Sequence, residues 1–288
     1  MAVISAFFYS LVFVLNAVGL RYVNVLSAVL ISQTSCLATA LAFSLLVVPF
    51  DQFLSSAAFY FLAAGALGSF GAYFLMVAAI DRVGSAIASA IAQTRPLYSA
   101  IGAVIILEES LTSSIALGMF LMIIGTATIS FEQSGGKIVK QWSRKDLMLP
   151  IMAAACWGLA HVVRKMGLNI IPEPIVGVTI QNAIALVLFA VVAFAQRRKE
   201  KLTFNHTRAL LILALAGFLI IVAQLFLFYA LDLGQVVIVS PLASLNTFFV
   251  LILAGIFLKK LEKVTWKIVL GAVLIVAGAV VLSLASQG

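Results

Sequence analysis

Four consecutive residues in the middle of an apolar run, Gln93-Thr94-Arg95-Pro96, make the strongest chemical demand in this sequence. A cation at the centre of a membrane costs about 2.5–3.5 kcal/mol on insertion scales, and it persists where it faces protein or a watery cavity. No Asp or Glu lies within the apolar runs to neutralise Arg95. Its planar donor fork suits a carboxylate or phosphate. The competing reading has it donating to backbone carbonyls of a neighbouring helix. Pro96 removes one N–H and displaces the carbonyl of Ala92, which leaves an acceptor in need of a partner. Tyr98 follows in the same segment.

Other polar residues in apolar runs come in pairs. At an offset of 153 residues, Gln93-Thr94 maps onto Asn246-Thr247, and Arg95-Pro96 maps onto Phe248-Phe249. A guanidinium on one side would then face aromatic surface on the other. Gln33-Thr34 and Gln181-Asn182 form a second pair, read equally as helix-to-helix glue or as cavity lining. Trp157, His161 and Lys165 are spaced i, i+4, i+8 along one helix face. At an offset of 148, Tyr9 and Phe13 correspond to Trp157 and His161. His161 is the residue in these runs that titrates near neutrality, so it is a candidate proton carrier, although a lone helical histidine is more often a hydrogen-bonding structural residue. Arg164 and Lys165 stand near a helix end, where long cations are expected to snorkel to the interface. Glu109 and Glu262 are expected to favour the N-termini of the helices that follow them.

The inventory contains no catalytic set. Cys36 and Cys156 lie in separate helices, His161 and His206 are isolated, and no phosphate-binding G-x-x-x-x-G-K-[ST] occurs. No metal and no cofactor is expected.

The elements that must position these groups follow from composition. Of 288 residues 64% are hydrophobic and 10% charged, with a mean hydropathy of +1.21, whereas soluble domains carry about 25% charged residues. Apolar runs recur near 3–20, 26–48, 57–79, 84–106, 112–131, 147–166, 175–195, 209–231, 236–257 and 266–285. Each approaches the ~20 residues that cross a ~30 Å hydrocarbon core. The pattern predicts an all-α integral membrane protein of ten transmembrane helices. The first run lacks a basic n-region and a small-residue cleavage site, so it reads as a helix and not as a secretory signal.

Fifteen of the 18 Lys and Arg residues fall in the connections after helices 1, 3, 5, 7 and 9. The positive-inside rule therefore places those connections in the cytoplasm and both termini outside the plasma membrane, the inner membrane in a bacterium. Because the charge is spread over loops, the net +8 is not a nucleic-acid surface.

The chain also repeats itself. Gln33 matches Gln181 at an offset of 148, Asp81 matches Asp232 at 151, and Glu109, Thr112, Gly118, Gly125 and Ser130 match Glu262, Thr265, Gly271, Gly278 and Ser283 at 153. Five helices per half is an odd number, so the second half is inverted. The boundaries are 1–131, a basic cytoplasmic linker at 132–146, and 147–288. Inverted repeats place a substrate site near the midplane between them, with rocking of the halves giving alternating access. The glycine stripes at 118/125 and 271/278 mark close helix packing, within one chain or between two.

The stretch from Arg95-Pro96-Leu97-Tyr98-Ser99-Ala100 through Glu109 and Thr112 to Gly118 and Gly125 resembles the EamA domain, as does Cys156-Trp157-Gly158 through Lys165. Two such domains cover the chain, as in the ten-helix carriers of the drug/metabolite transporter superfamily. The resemblance implies a transporter akin to amino-acid and metabolite exporters. The expectation is a secondary carrier, monomer or homodimer in the lipid bilayer, that moves an amino acid or organic anion. Its substrate-binding candidates are Arg95, Gln93, Thr94, Tyr98, Asn246, Thr247, Phe248, Trp157, His161, Gln33, Gln181 and Asn182. A flippase for a lipid-linked headgroup is the alternative reading, with an intramembrane enzyme a weaker one.

Overall fold

The computed structural model describes residues 1–133, 143, 145–196, 206–257 and 265–285, leaving aside the side chains of 85–86, 133, 196 and 254–257. Within them the chain is helical throughout, and the ten expected spans are present. The first two are α1 (Ala2–Gly19) and α2 (Val25–Val47). The third joins α3 (Ala57–Ala64) to α4 (Ala72–Val83) through a π-helical turn at Gly65–Gly71. The fourth is split into α5 (Ser85–Ala92) and α6 (Arg95–Ile106), and the fifth is α7 (Ser113–Gln133). In the second half come α8 (Met148–Ile170), α9 (Pro174–Gln196) and α10 (Thr207–Leu233). The ninth span is split into α11 (Val236–Ala243) and α12 (Asn246–Phe257), and the tenth is α13 (Trp266–Ala285). The linker segment at 134–142, the basic residues at 197–201 and 259–263, and Glu262 lie outside the described residues.

Local chemistry sets several of these ends. Asn24 accepts from the backbone N–H of Ser27 at 2.9 Å and starts α2. Gly84, at φ +86°, ends α4 in a conformation that L side chains avoid, which lets α5 begin at the next residue. Thr112 and Thr265 cap α7 and α13, accepting from the backbone N–H groups of Ile115 and Ile268. Glu109 does not serve its own following helix. Its two carboxylate oxygens accept from the N–H groups of Val236 and Val237, at 2.8 and 2.9 Å, and so cap α11 in the opposite half.

The packing follows the inverted repeat. Spans one and eight pack together, and so do their equivalents six and three; spans one and nine pack, matched by six and four. Equivalent spans meet each other at two with seven, four with nine, and five with ten. A pseudo-twofold axis therefore runs between these last three pairs. The two halves are interleaved, each first-half span resting mainly on second-half spans. The glycine stripes belong to this intramolecular packing. A Cβ on Gly118 would lie 3.0 Å from the carbonyl oxygen of Gly278, and one on Gly125 would come 2.6 Å from that of Gly271. Backbones of α7 and α13 can touch only because those positions carry no side chain.

The helix bounds correct the repeat register in the centre. Both α5 and α11, and both α6 and α12, begin 151 residues apart, at Ser85 and Val236 and at Arg95 and Asn246. The offset reaches 153 only at α7 and α13, so the two extra residues fall in the connection before the last span. Gln93 therefore corresponds to Ser244 and Arg95 to Asn246, not to Asn246 and Phe248.

On the side of the odd-numbered connections, Arg82 pairs with Asp146 at 3.4 Å and Lys267 with Glu132 at 3.5 Å, while the rings of Tyr22 and His206 stack at 4.5 Å. These contacts gather connections one, three, five, seven and nine on one face. The backbone N–H and hydroxyl of Ser143, with Arg82 beside them, hold the Asp146 carboxyl below the usual carboxylate range.

Candidate functional site

Arg95 is not inside a continuous helix. The fourth span breaks at Gln93-Thr94, and the ninth breaks at Ser244-Leu245. The first break is stabilised locally: the Thr94 hydroxyl donates to the Ile91 carbonyl at 2.7 Å, and Pro96 occupies the first turn of α6, where its missing N–H is harmless. The second break follows Pro241, which the sequence reading did not use. Pro241 sits inside α11 and ends it two residues later, and the Ser244 hydroxyl donates back to the Ser240 carbonyl.

From the first break Arg95 reaches the second. Its Nε donates to the Ser244 hydroxyl at 3.2 Å and its second terminal nitrogen to Asn246 Oδ1 at 3.0 Å. Asn246 is the pseudo-symmetric equivalent of Arg95, so this bond straddles the axis. Nearby, Ser99 donates to Ser240 at 2.6 Å, a second link between spans four and nine. All these acceptors are neutral. Among the described residues no carboxylate pairs with Arg95, and its charge stays uncompensated.

Gly158 brings α8 against this segment. A Cβ there would lie 2.8 Å from both the Ser99 nitrogen and the Tyr98 Cβ, and would also meet the Arg95 carbonyl oxygen. The close approach seats Tyr98 beside α8. One turn further along that helix is His161, buried, with an Nδ1 that has no partner. Groups from spans four, six and nine thus meet at the centre.

Arg164 corrects the snorkelling expectation. It is 7% exposed. Its Nε donates to Gln181 Oε1 at 3.0 Å, and its guanidinium carbon lies 5.7 Å from the centre of the Phe228 ring. The physical reason is rotational: Arg164 shares the inward face of α8 with Gly158, Ala160 and His161. Room for it comes from the π-helical turn, where a Cβ on Gly68 would lie 3.0 Å from the guanidinium and 2.7 Å from Ala160 Cβ. Single-turn π bulges recur at functional sites. Lys165, one residue on, is half-buried and donates to the Asp232 carbonyl at 2.9 Å.

The remaining candidates separate into two groups. Asn182 bonds to Gln224 across α9 and α10 as glue. Thr247 is buried 3.5 Å from Asn246, and Phe248 packs with Phe249 in the core, so neither aromatic stands at the equivalent of Arg95. By contrast Gln33 Oε1, Gln93 Oε1 and Gln181 Nε2 are buried without partners, and Trp157 is half-buried on α8. Buried polar atoms are almost always hydrogen-bonded, so these unpartnered amides, with His161 Nδ1, stand out among the described residues. Sequence reasoning missed Tyr9, Arg164, Gln224, Ser240 and Ser244. Gln224 was detectable as the one amide in the long apolar α10.

The EamA-like transporter family model matches residues 1–131 and 144–284. A solved structure titled "Crystal structure of protein" superposes with a TM-score of 0.82 at 17% identity, covering 99% of this chain and 96% of that one, which establishes likeness of fold. Among curated proteins none matches.

Proposed function

The chain belongs to the EamA-like transporter family, and from that premise we propose that it is a secondary carrier of a small polar metabolite bearing a carboxylate. As a member of that family it is a multi-pass membrane transporter of small molecules and not an enzyme. The observation that carries the finer reading is the Arg95 bridge. A charged guanidinium joins the breaks of two pseudo-equivalent spans on the axis, using only neutral oxygens. A carboxylate entering there would exchange weak neutral acceptors for charge-assisted bonds, roughly twice as strong. Binding would then loosen the contact between spans four and nine, which is what coupling of substrate to alternating access requires.

The interleaved packing supports one form of alternating access. Spans one, two, eight and nine form one body, and six, seven, three and four its pseudo-symmetric counterpart, with contact along the axis pairs. The bodies that rock are mixtures of both repeats, in place of the two repeats themselves. The domain reading of 1–131 and 147–288 then describes ancestry more than mechanics.

Uptake into proteoliposomes with a panel of amino acids, organic anions and lipid-linked headgroups tests the proposal. The expected result is accumulation of a carboxylate-bearing solute. Scrambling of a lipid-linked headgroup with no solute uptake would replace the carrier by a flippase. For orientation we place both termini outside the plasma membrane. A periplasm-active reporter fused after residue 288 is expected to be active, and activity of a cytoplasmic reporter alone would reverse the placement.

A further inference from the structure

We infer that the central region holds a second anion subsite, formed by Arg164 and Gln181, so that the transported molecule carries two separated anionic groups. The inference rests on the carrier reading above and narrows its substrate class.

The donors are fixed by chemistry. Arginine cannot accept a hydrogen bond, so the bond from Arg164 Nε settles which end of the Gln181 amide faces it: the oxygen does. The amide nitrogen is then necessarily the other end, and it is buried with no partner. Gln181 is fully buried and Arg164 nearly so. The remaining N–H groups of the Arg164 fork have no acceptor among the described residues, and its face is closed by Phe228. Unused guanidinium donors beside an orphaned amide donor form a donor-only cluster with a net positive charge. Water can satisfy such donors, but only an anion also balances the charge.

Arg95 and Arg164 are anchored at different levels of the bundle. The Arg95 backbone lies against Gly158, and Arg164 is six residues further along α8, about 9 Å at 1.5 Å per residue. Each cation has its own neutral tethers, Ser244 and Asn246 for Arg95 and Gln181 for Arg164. Two positive points held apart by separate scaffolds match two carboxylates joined by a short chain better than one compact dianion.

The test uses the full chain in proteoliposomes, with dicarboxylates of three to seven carbons, each beside its monoamide, and inorganic phosphate as a compact dianion. The wild-type protein is expected to take up at least one dicarboxylate at about tenfold lower half-saturation than its monoamide. Arg164→Gln is expected to remove that preference, so that each dicarboxylate is handled no better than its monoamide. Gln181→Glu keeps an oxygen for Arg164 but replaces the orphan donor by an anion. It should produce the same loss, which covers the case in which Arg164→Gln does not fold. Equal handling of every dicarboxylate and its monoamide by the wild type would overturn the second subsite and leave the carrier reading standing. So would a preference for phosphate over all dicarboxylates. Uptake of none of these anions would overturn the second subsite, and failure of the amino acids in the wider panel as well would overturn the carrier reading.

Discussion

Arg95→Gln reaches the membrane, folds, and loses transport of its anionic substrate by about 100-fold or more, as expected from removing a charge-assisted contact worth up to about 3 kcal/mol in a desolvated site. Folding should survive for a reason visible in the geometry. The partners of Arg95 are a serine hydroxyl and an asparagine oxygen, both of which have other bonding options. Insertion becomes easier, because a central cation that costs about 2.5–3.5 kcal/mol is gone. The check is substrate uptake beside thermal melting in detergent. A normal melting curve with abolished uptake is the expected pair. Normal uptake would show that the guanidinium is a structural bridge only, and a collapsed melting curve would show that the bridge holds the fold.

Gly158→Ala should destabilise the protein, by about 1–3 kcal/mol as for overpacked cores, although its type of substitution usually helps. Alanine in a helix interior is favoured over glycine by about 1 kcal/mol, so an open site would gain stability. Here the added methyl would meet the Ser99 nitrogen and the Arg95 carbonyl oxygen, and backbone cannot rotate out of the way as a side chain can. α8 must move off the first turn of α6. That shift carries the start of α6, and with it the reach of Arg95 to Asn246, so transport falls together with the melting temperature. A variant that melts at or above the wild-type temperature would show that α8 and α6 are not in backbone contact.

How much of this was legible in the sequence depends on the length scale of each signal. Spans of about twenty apolar residues are set by bilayer thickness, and all ten were readable. The centre was harder, because it depends on where helices break and rotate. Pro96 drew attention to the fourth span, yet the break in the ninth is announced by Pro241, before the break where the other proline lies after it. Without that second break, the register of Glu109 and Glu262 was extended back through the fourth span, and Arg95 acquired the wrong counterpart. Arg164 was judged by its distance from a helix end, when its angular position on α8 decided its burial. Glu109 was judged by the nearest helix, when the helix it caps is 127 residues away. Each error has the same physical root: periodicity reports which faces are apolar, while partners across an interleaved fold are set by topology.

The interleaving also has a temporal side. The acceptors for Arg95 lie 149 and 151 residues downstream, and at about 5–20 residues per second a ribosome needs roughly 8–30 s to produce them. During that interval the first five spans are in the bilayer with a bare guanidinium and with Gly118 and Gly125 facing no partner. A nascent chain ending near residue 131 is therefore an unfinished surface and not a stable half. The first repeat needs shelter, from the insertion machinery or from another chain, until its inverted twin has been made.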